Sequence, residues 1–237
     1  MITKRILFSL LMIAAVVLGT SAQDGSHLVK VGDFSRLVLI DNINVNYRCN
    51  ADSAGIAVVD CPKEVADRIL FNKSDKGRLS IQLDNLTGEL HNLPTITIYS
   101  SSLEEAENSG DSTLRLSGLP PMKKFKVRNI DNGKVIVRGV RASQLELQIL
   151  SGKGKIITDG SCDDLSLRLV GTGEIQADEV DAVNVSCRII GTGNIGCNVM
   201  GGELKVSGSG TGKVYYKGNP SKVTVRKLGS IKAIPMD

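Results

Sequence analysis

The sequence contains no tryptophan and only eight aromatic residues, four Phe and four Tyr, in 237 positions. That scarcity argues against base-stacking platforms for nucleic acid and against an ordinary aromatic-lined pocket. Histidine is nearly missing too, with His27 and His91 far apart in the chain. No Cys-x-x-Cys motif or Cys/His cluster accompanies them, which argues against a zinc site. Neither sign of charge dominates: 29 Lys+Arg stand against 25 Asp+Glu, a formal charge of +4. A nucleic-acid footprint needs a stronger basic excess. What is abundant is glycine, at 25 residues, and a 41% hydrophobic content that is ample for a core.

The single long apolar run lies at the N-terminus. Lys4 and Arg5 precede an apolar run of 13 residues, Ile6 to Leu18, and the small Thr20-Ser21-Ala22 follows. This reads as an export signal over residues 1–22, leaving Gln23 as the mature start. A membrane span needs about 20 apolar residues, more than this run has. The expected mature domain, residues 23–237, loses Lys4 and Arg5, so 27 basic residues remain against 25 acidic ones. Electrostatic targeting of the whole molecule is therefore not indicated. No cysteine lies near the expected cut, so a lipid anchor is not expected. Periplasm, outer surface and secretion all remain open as destinations.

All five cysteines, Cys49, Cys61, Cys162, Cys187 and Cys197, lie in the mature part. Export permits disulfides, and an odd count leaves one thiol over. Cys49 and Cys61 flank an expected strand-turn-strand and form the candidate pair. The alternative is that they fill apolar space, as free cysteine does well.

The second half repeats itself. Alternating apolar runs begin at Phe125, Leu145, Leu165, Val185, Leu204 and Val223, spaced 20, 20, 20, 19 and 19 residues apart. Within each run the apolar residues fall two apart, the period of a half-buried strand. Glycine turns follow four runs: Gly152-Lys153-Gly154, Gly171-Thr172-Gly173, Gly191-Thr192-Gly193 and Gly210-Thr211-Gly212. A shorter strand follows each turn, giving a second apolar column through Leu114, Val135, Ile156, Ile175, Ile195, Val214 and Ile231. A unit of about 20 residues cannot bury its own apolar side, so successive units must stack. The expected fold is all-β: a single-stranded, right-handed parallel β-helix, or β-solenoid, with coils of about 20 residues. Val127, Leu147, Leu167, Cys187, Val206 and Val225 should form one inward ladder. The glycines should mark corners needing φ > 0. A β-sandwich of glycine hairpins is the alternative, and antiparallel pairing among these runs would reveal it. The first half is less regular. Strands are expected at 29–31, 38–40, 43–47, 56–59, 79–83 and 96–99, with a short helix within 62–70. Its expected role is an irregular β cap on the first coil, because an open solenoid end exposes unpaired strand edges.

These features resemble the bacterial auto-transporter adhesin family with the head GIN domain, DUF2807. The resemblance rests on Phe34-x-x-Leu37-x-Leu39 followed by Ile43-x-Val45, on the Gly-x-Gly coils, and on the closing stretch from Gly208 to Pro220, which reads GSGTGKVYYKGNP. It implies an exported β-helical protein with an adhesive role and no catalytic motif. The missing lipid-anchor cysteine is a departure from many members.

Signals of chemistry are weak. No nucleophile elbow, metalloprotease motif or phosphate loop is present, and no catalytic residue or cofactor is assigned. The Gly-Thr-Gly turns precede strands, so they lack the helix N-terminus that holds a dinucleotide. Asp163, Asp164 and Asp181 at successive corners are weak candidates for a calcium site of the lyase kind; solvated turns explain them as well. Arg168 and Arg188 form a short outward basic ladder that could hold an acidic sugar, and Tyr215 is expected to point outward, with Tyr216 inward. The functional expectation is a non-catalytic surface or envelope protein that binds a glycan or a surface protein. A polysaccharide lyase acting on acidic polymers and a purely structural envelope protein are the alternatives. The mature chain is expected to hold no membrane span and no nucleic acid.

Overall fold

The structure, a computed structural model, describes residues 25–84 and 92–236. The expected export signal and His91 lie outside those residues. The chain enters as β1 (Gly25–Lys30), β2 (Arg36–Leu39), β3 (Val45–Cys49) and β4 (Ile56–Cys61). One turn of helix, α1 (Lys63–Ala66), leads to β5 (Ile69–Lys73), β6 (Arg78–Leu83) and β7 (Ile96–Ser100). Then come β8 (Glu105–Asn108), β9 (Thr113–Ser117) and β10 (Met122–Asn129). Three long strands follow, β11 (Lys134–Ile149), β12 (Lys155–Gly171) and β13 (Glu174–Gly191), each turning a corner within its length. The last strands are β14 (Asn194–Val199), β15 (Glu203–Gly210), β16 (Lys213–Gly218), β17 (Lys222–Gly229) and β18 (Lys232–Pro235).

These strands form a β-solenoid of about 7 turns. Two walls face each other. From one end, the first wall runs β5, β6, β2, β8, β10, the second halves of β11, β12 and β13, then β15 and β17. The second wall runs β1, β4, β7, β3, β9, the first halves of β11, β12 and β13, then β14, β16 and β18. From β8 onward the pairing is parallel, as the repeat requires. Phe125, Leu145, Leu165, Val185, Leu204 and Val223 fall opposite one another coil by coil. So do Val127, Leu147, Leu167, Cys187, Val206 and Val225. Between the walls, the inward residues of every coil join one continuous apolar cluster. In the second column, Val214 meets Ala233 rather than the expected Ile231. The step there is the ordinary coil length, and Ile231 is instead buried just before β18.

The first half closes one end with antiparallel strands. β5 lies antiparallel on β6, and β1 antiparallel on β4, so the outermost coils do not continue the parallel ladder. The chain also steps back on itself: β2 is flanked by β6 on one side and β8 on the other. The expected helix within 62–70 stops after one turn. Leu70 and Phe71 pair instead with Gln82 and Ile81, because an apolar segment beside an open strand edge gains more by joining the sheet. The opposite end is open among the described residues. Val223 and Val225 occupy inward columns yet are 39% and 40% exposed, since no further coil of those residues covers β17.

An added Cβ at any of the eight corner glycines would come within 2.7 Å of a carbonyl oxygen of the coil below, and the two members of each pair differ in backbone conformation. The first of each pair, at 152, 171, 191 and 210, has positive φ, between 77° and 132°. The second, at 154, 173, 193 and 212, has ordinary φ and is needed for space. A Cβ at Gly193 would run into the carbonyl oxygen of Gly173 one coil below and come within 2.6 Å of Leu169 Cδ2. The expectation that all eight need φ > 0 is thus corrected for half of them. At the same corner, Asn108 and Asn129 stack in the column that Ile149, Leu169 and Ile189 fill in later coils. Their amide nitrogens donate to the carbonyls of Ser112 (2.9 Å) and Gly133 (2.6 Å), holding the tighter early turns.

Cys49 and Cys61 do not meet. β7 lies between their strands: Cys49 pairs with Ser100 at one end of β7, while antiparallel β4 carries Cys61 toward the other end. That offset is about six residues, or roughly 20 Å, far beyond disulfide reach. The Cys49 thiol donates to the Ser101 carbonyl at 3.1 Å. Cys187 and Cys197 hydrogen-bond inside the core; that contact, with burial, holds the Cys187 thiol well above its usual range. Burial, reinforced by Asp163 and Asp164, pushes Cys162 up to about 12.

Three outcomes follow from this packing. Gly193→Ala should destabilise the fold by about 1–3 kcal/mol by overpacking. Gly139→Asn should cost well under that by thermal denaturation, because Gly139 has φ 64° with open space around it and Asn tolerates that conformation. In native thiol labelling followed by mass spectrometry, Cys49 should react ahead of Cys162, Cys187 and Cys197, which are buried. Cross-coil ion pairs supply a further outcome. Lys124 lowers the Glu146 carboxyl and Lys155 lowers that of Glu174, each chiefly through a hydrogen bond. A lowered folded value means the stabilisation is complete above the ordinary glutamate value of 4.5 and is lost as pH falls through the folded one. The melting temperature should hold from neutral pH to about pH 5 and fall below it, less steeply in Glu146→Gln.

Candidate binding face

On the first wall, stacking turns sequence period into a lattice of outward side chains. Adjacent coils present Asp164, Ser166, Arg168 and Val170 on β12, then Asn184, Ser186, Arg188 and Ile190 on β13. The next coils present Glu203, Lys205, Ser207 and Ser209 on β15, then Lys222, Thr224, Arg226 and Leu228 on β17. One file therefore reads Arg168, Arg188, Ser207, Arg226. Beside it runs Val170, Ile190, Ser209, Leu228. Parallel strands set each step at about 4.8 Å, so Arg188 and Arg226 start two steps apart, roughly 10 Å.

The small residues of β15 leave a trough between their larger neighbours. Its volume is about 520 Å³, and it is lined by Arg188, Ile190, Ser207, Gly208, Ser209, Arg226, Lys227 and Leu228. Gly208 is forced by close approach: a Cβ there would strike the backbone of Ile189. That removes a side chain from the inward column of Leu169 and Ile189 and lets Lys227 end it. Leu228 is 77% exposed at the trough wall.

Several cations are paired with acids within or across coils. Arg128 lies 2.5 Å from Glu105 and 3.1 Å from Glu107. Arg138 lies 2.7 Å from Asp159, and Lys217 reaches Asp178 and Glu179 at 3.0 and 2.7 Å. Glu203, farther along the face, engages Lys205 at 2.8 Å and Lys222 at 3.9 Å. Among the described residues, Arg168, Arg188, Arg226 and Lys227 have no carboxylate within 4.0 Å. A second groove, of about 420 Å³, is lined by Arg36, Glu104, Glu105, Met122, Lys123, Lys124 and Lys126. Half of its charged residues are paired, Lys124 and Lys126 with Glu146 and Glu105 with Arg128.

The residues singled out from sequence separate into two groups. Arg168 and Arg188 are neighbours one coil apart, facing outward. Tyr215 is not with them: it sits on the second wall, opposite Gly196 and Ile234, and is half-buried, while Tyr216 packs against the core. The aspartates do not assemble. Asp164 lies opposite Asn184 and accepts from its amide at 3.2 Å; Asp181 lies opposite Ser161 and accepts from Asn198 at 2.9 Å. Among the described residues, no three His, Cys, Asp or Glu side chains group as metal ligands. His27 contacts the Cys61 carbonyl at 2.9 Å through Nε2. Sequence reasoning missed Arg226, Ser209 and Leu228. Counting two further coils from Arg188 would have found Arg226, but the intervening Ser207 interrupts the basic pattern.

Among the described residues no helix is long and apolar enough to cross a membrane. No curated protein matches the sequence. Several solved structures share the fold. One described as a putative adhesin from Bacteroides fragilis has TM-score 0.79 and 20% identity, covering 91% of this chain and 100% of its own. One described as a putative lipid binding protein from Parabacteroides distasonis has TM-score 0.69 and 20% identity, covering 89% and 96%. A putative adhesin from the same species has TM-score 0.70 and 17% identity, with the same coverage. At those identities the likeness is one of fold. Residues 33–220 match the family described as "Putative auto-transporter adhesin, head GIN domain", and the chain belongs to that family, DUF2807.

Proposed function

We propose that this protein is exported and acts as a non-catalytic interaction protein of the cell envelope or surface. In this reading it is an adhesin whose first wall holds a glycan or a surface protein. The supporting observation is the file of outward arginines, Arg168, Arg188 and Arg226, which align coil by coil and carry no carboxylate partner among the described residues. Guanidinium groups left free on a rigid sheet are preorganised donors for an incoming acceptor. The family description and the adhesin neighbours point the same way. No observation favours a lyase, since Asp164 and Asp181 are each committed to a cross-coil amide.

On an array of immobilised glycans and extracellular-matrix proteins, the purified protein should bind saturably and leave its ligand chemically unchanged. Arg168→Gln with Arg188→Gln should remove most of that signal. Release of unsaturated sugars that disappears in Asp163→Asn, Asp164→Asn, Asp181→Asn would establish the lyase instead. Absence of binding to every array member would leave the structural role.

A further inference from the structure

We infer that the trough over Ser207, Gly208 and Ser209 is a binding site for an acidic glycan, with a sugar carboxylate or sulfate held between Arg188 and Arg226. The inference rests on the surface-binding reading above and names its ligand class and seat. Four features of the trough agree on that class.

The first is cation placement. Arg188 and Arg226 rise from coils on either side of β15, and Lys227 lies beside them in the lining. A planar guanidinium grips a carboxylate or sulfate through paired N–H donors. The second is the lack of internal competition. The nearest acid on β15, Glu203, stands two outward positions from Ser207 and is engaged by Lys205 and Lys222. The third is the floor. Ser207 and Ser209 are small, so a ligand can descend to the sheet; the Ser207 hydroxyl donates to the Cys187 carbonyl at 3.5 Å and keeps its acceptor sites for sugar hydroxyls, and that of Ser209 can donate or accept. The fourth is the flank. Ile190 and Leu228 offer an apolar edge that suits the C–H face of a sugar ring, and the volume of about 520 Å³ falls within the range of small-ligand sites, about 300–1,000 Å³. Arg168, one coil beyond Arg188, continues the cationic file, so a polymer with repeated acid groups gains a third contact. Nucleic acid fits less well, because no aromatic side chain lines the trough to stack a base.

The test is calorimetric titration of the purified full-length protein with oligogalacturonate and with dextran sulfate. Carboxyl-reduced oligosaccharide and plain dextran are the uncharged counterparts. The acidic probes should bind and the uncharged ones should not. Arg188→Gln with Arg226→Gln should weaken binding roughly tenfold or more. Lys153→Gln with Lys213→Gln, which removes equal charge from exposed sites elsewhere, should change it little. Ser207→Leu keeps every charge but fills the floor, and should also abolish binding. That variant keeps the test decisive if the arginine pair is needed for folding. Equal weakening by both double variants would overturn the site in favour of diffuse electrostatics. So would binding in Ser207→Leu at full strength, or binding to phosphatidylglycerol vesicles in preference to either glycan. An array ligand that is uncharged, and is held unchanged by Arg188→Gln with Arg226→Gln, would sink this site while leaving the broader surface-binding reading intact.

Discussion

Hydrogen bonding between successive parallel coils holds equivalent residues about 4.8 Å apart, and that distance leaves no space for a Cβ where the chain turns. Both glycines of each Gly-x-Gly corner are the direct consequence. At 152, 154, 171, 173, 191, 193, 210 and 212 the backbone of one coil rests against a carbonyl of the coil below. Once the corners are fixed, the register of both walls is fixed, and with it the identity of every neighbour. Inward positions become ladders of Leu, Val, Ile and Cys. Aromatic rings are scarce because two walls this close, repeated this regularly, are filled by branched aliphatic chains. Phe125, at the head of one inward column, and Phe34 and Tyr47 in the irregular half are buried exceptions. The Tyr47 hydroxyl lies 2.8 Å from Ser100 Oγ and its ring is edge-on to Phe34.

The same spacing shapes the surface. A residue type repeated once per coil becomes a file of like side chains at close intervals. Such a file is costly for charges unless acids alternate with bases or a ligand supplies the opposite sign. On part of the first wall the first solution is used: Arg128 lies against Glu105 and Glu107, Lys124 and Lys126 against Glu146, and Lys205 and Lys222 against Glu203. The arginines at 168, 188 and 226 are left to solvent, and the small Ser207 and Ser209 open a trough among them. The two ends of the solenoid differ accordingly. Antiparallel β1 and β5 close one end, while at the other the apolar columns lie open beside Arg226 and Lys227.

Much of the fold was legible because a repeat reports its own geometry. The spacing of Phe125, Leu145, Leu165, Val185, Leu204 and Val223 gave register to the residue, and the parallel pairing has that register. The irregular half was less legible. Nothing local says that β6 and β8 flank β2, because that arrangement depends on which coil edges are free when the chain returns. The Cys49–Cys61 pairing failed for the same reason: the intervening β7 comes from residues more than thirty positions later. At the site, Arg168 and Arg188 were visible as a pair, but the trough was not. It exists because small residues on β15 sit between larger ones on β13 and β17, a relation of three coils.

The sequence by itself determined the period, the inward ladders and the glycine corners, since these are properties of one coil copied along the chain. The tertiary structure alone decided which wall each side chain faces, which charges find partners, and where the surface is hollow. Tyr215 and Arg188 look like companions in sequence and stand on different walls. The reason is physical. Strand period fixes only inward or outward, whereas the neighbours of an outward side chain are set by the corners that fold the coil and by the coils stacked on either side.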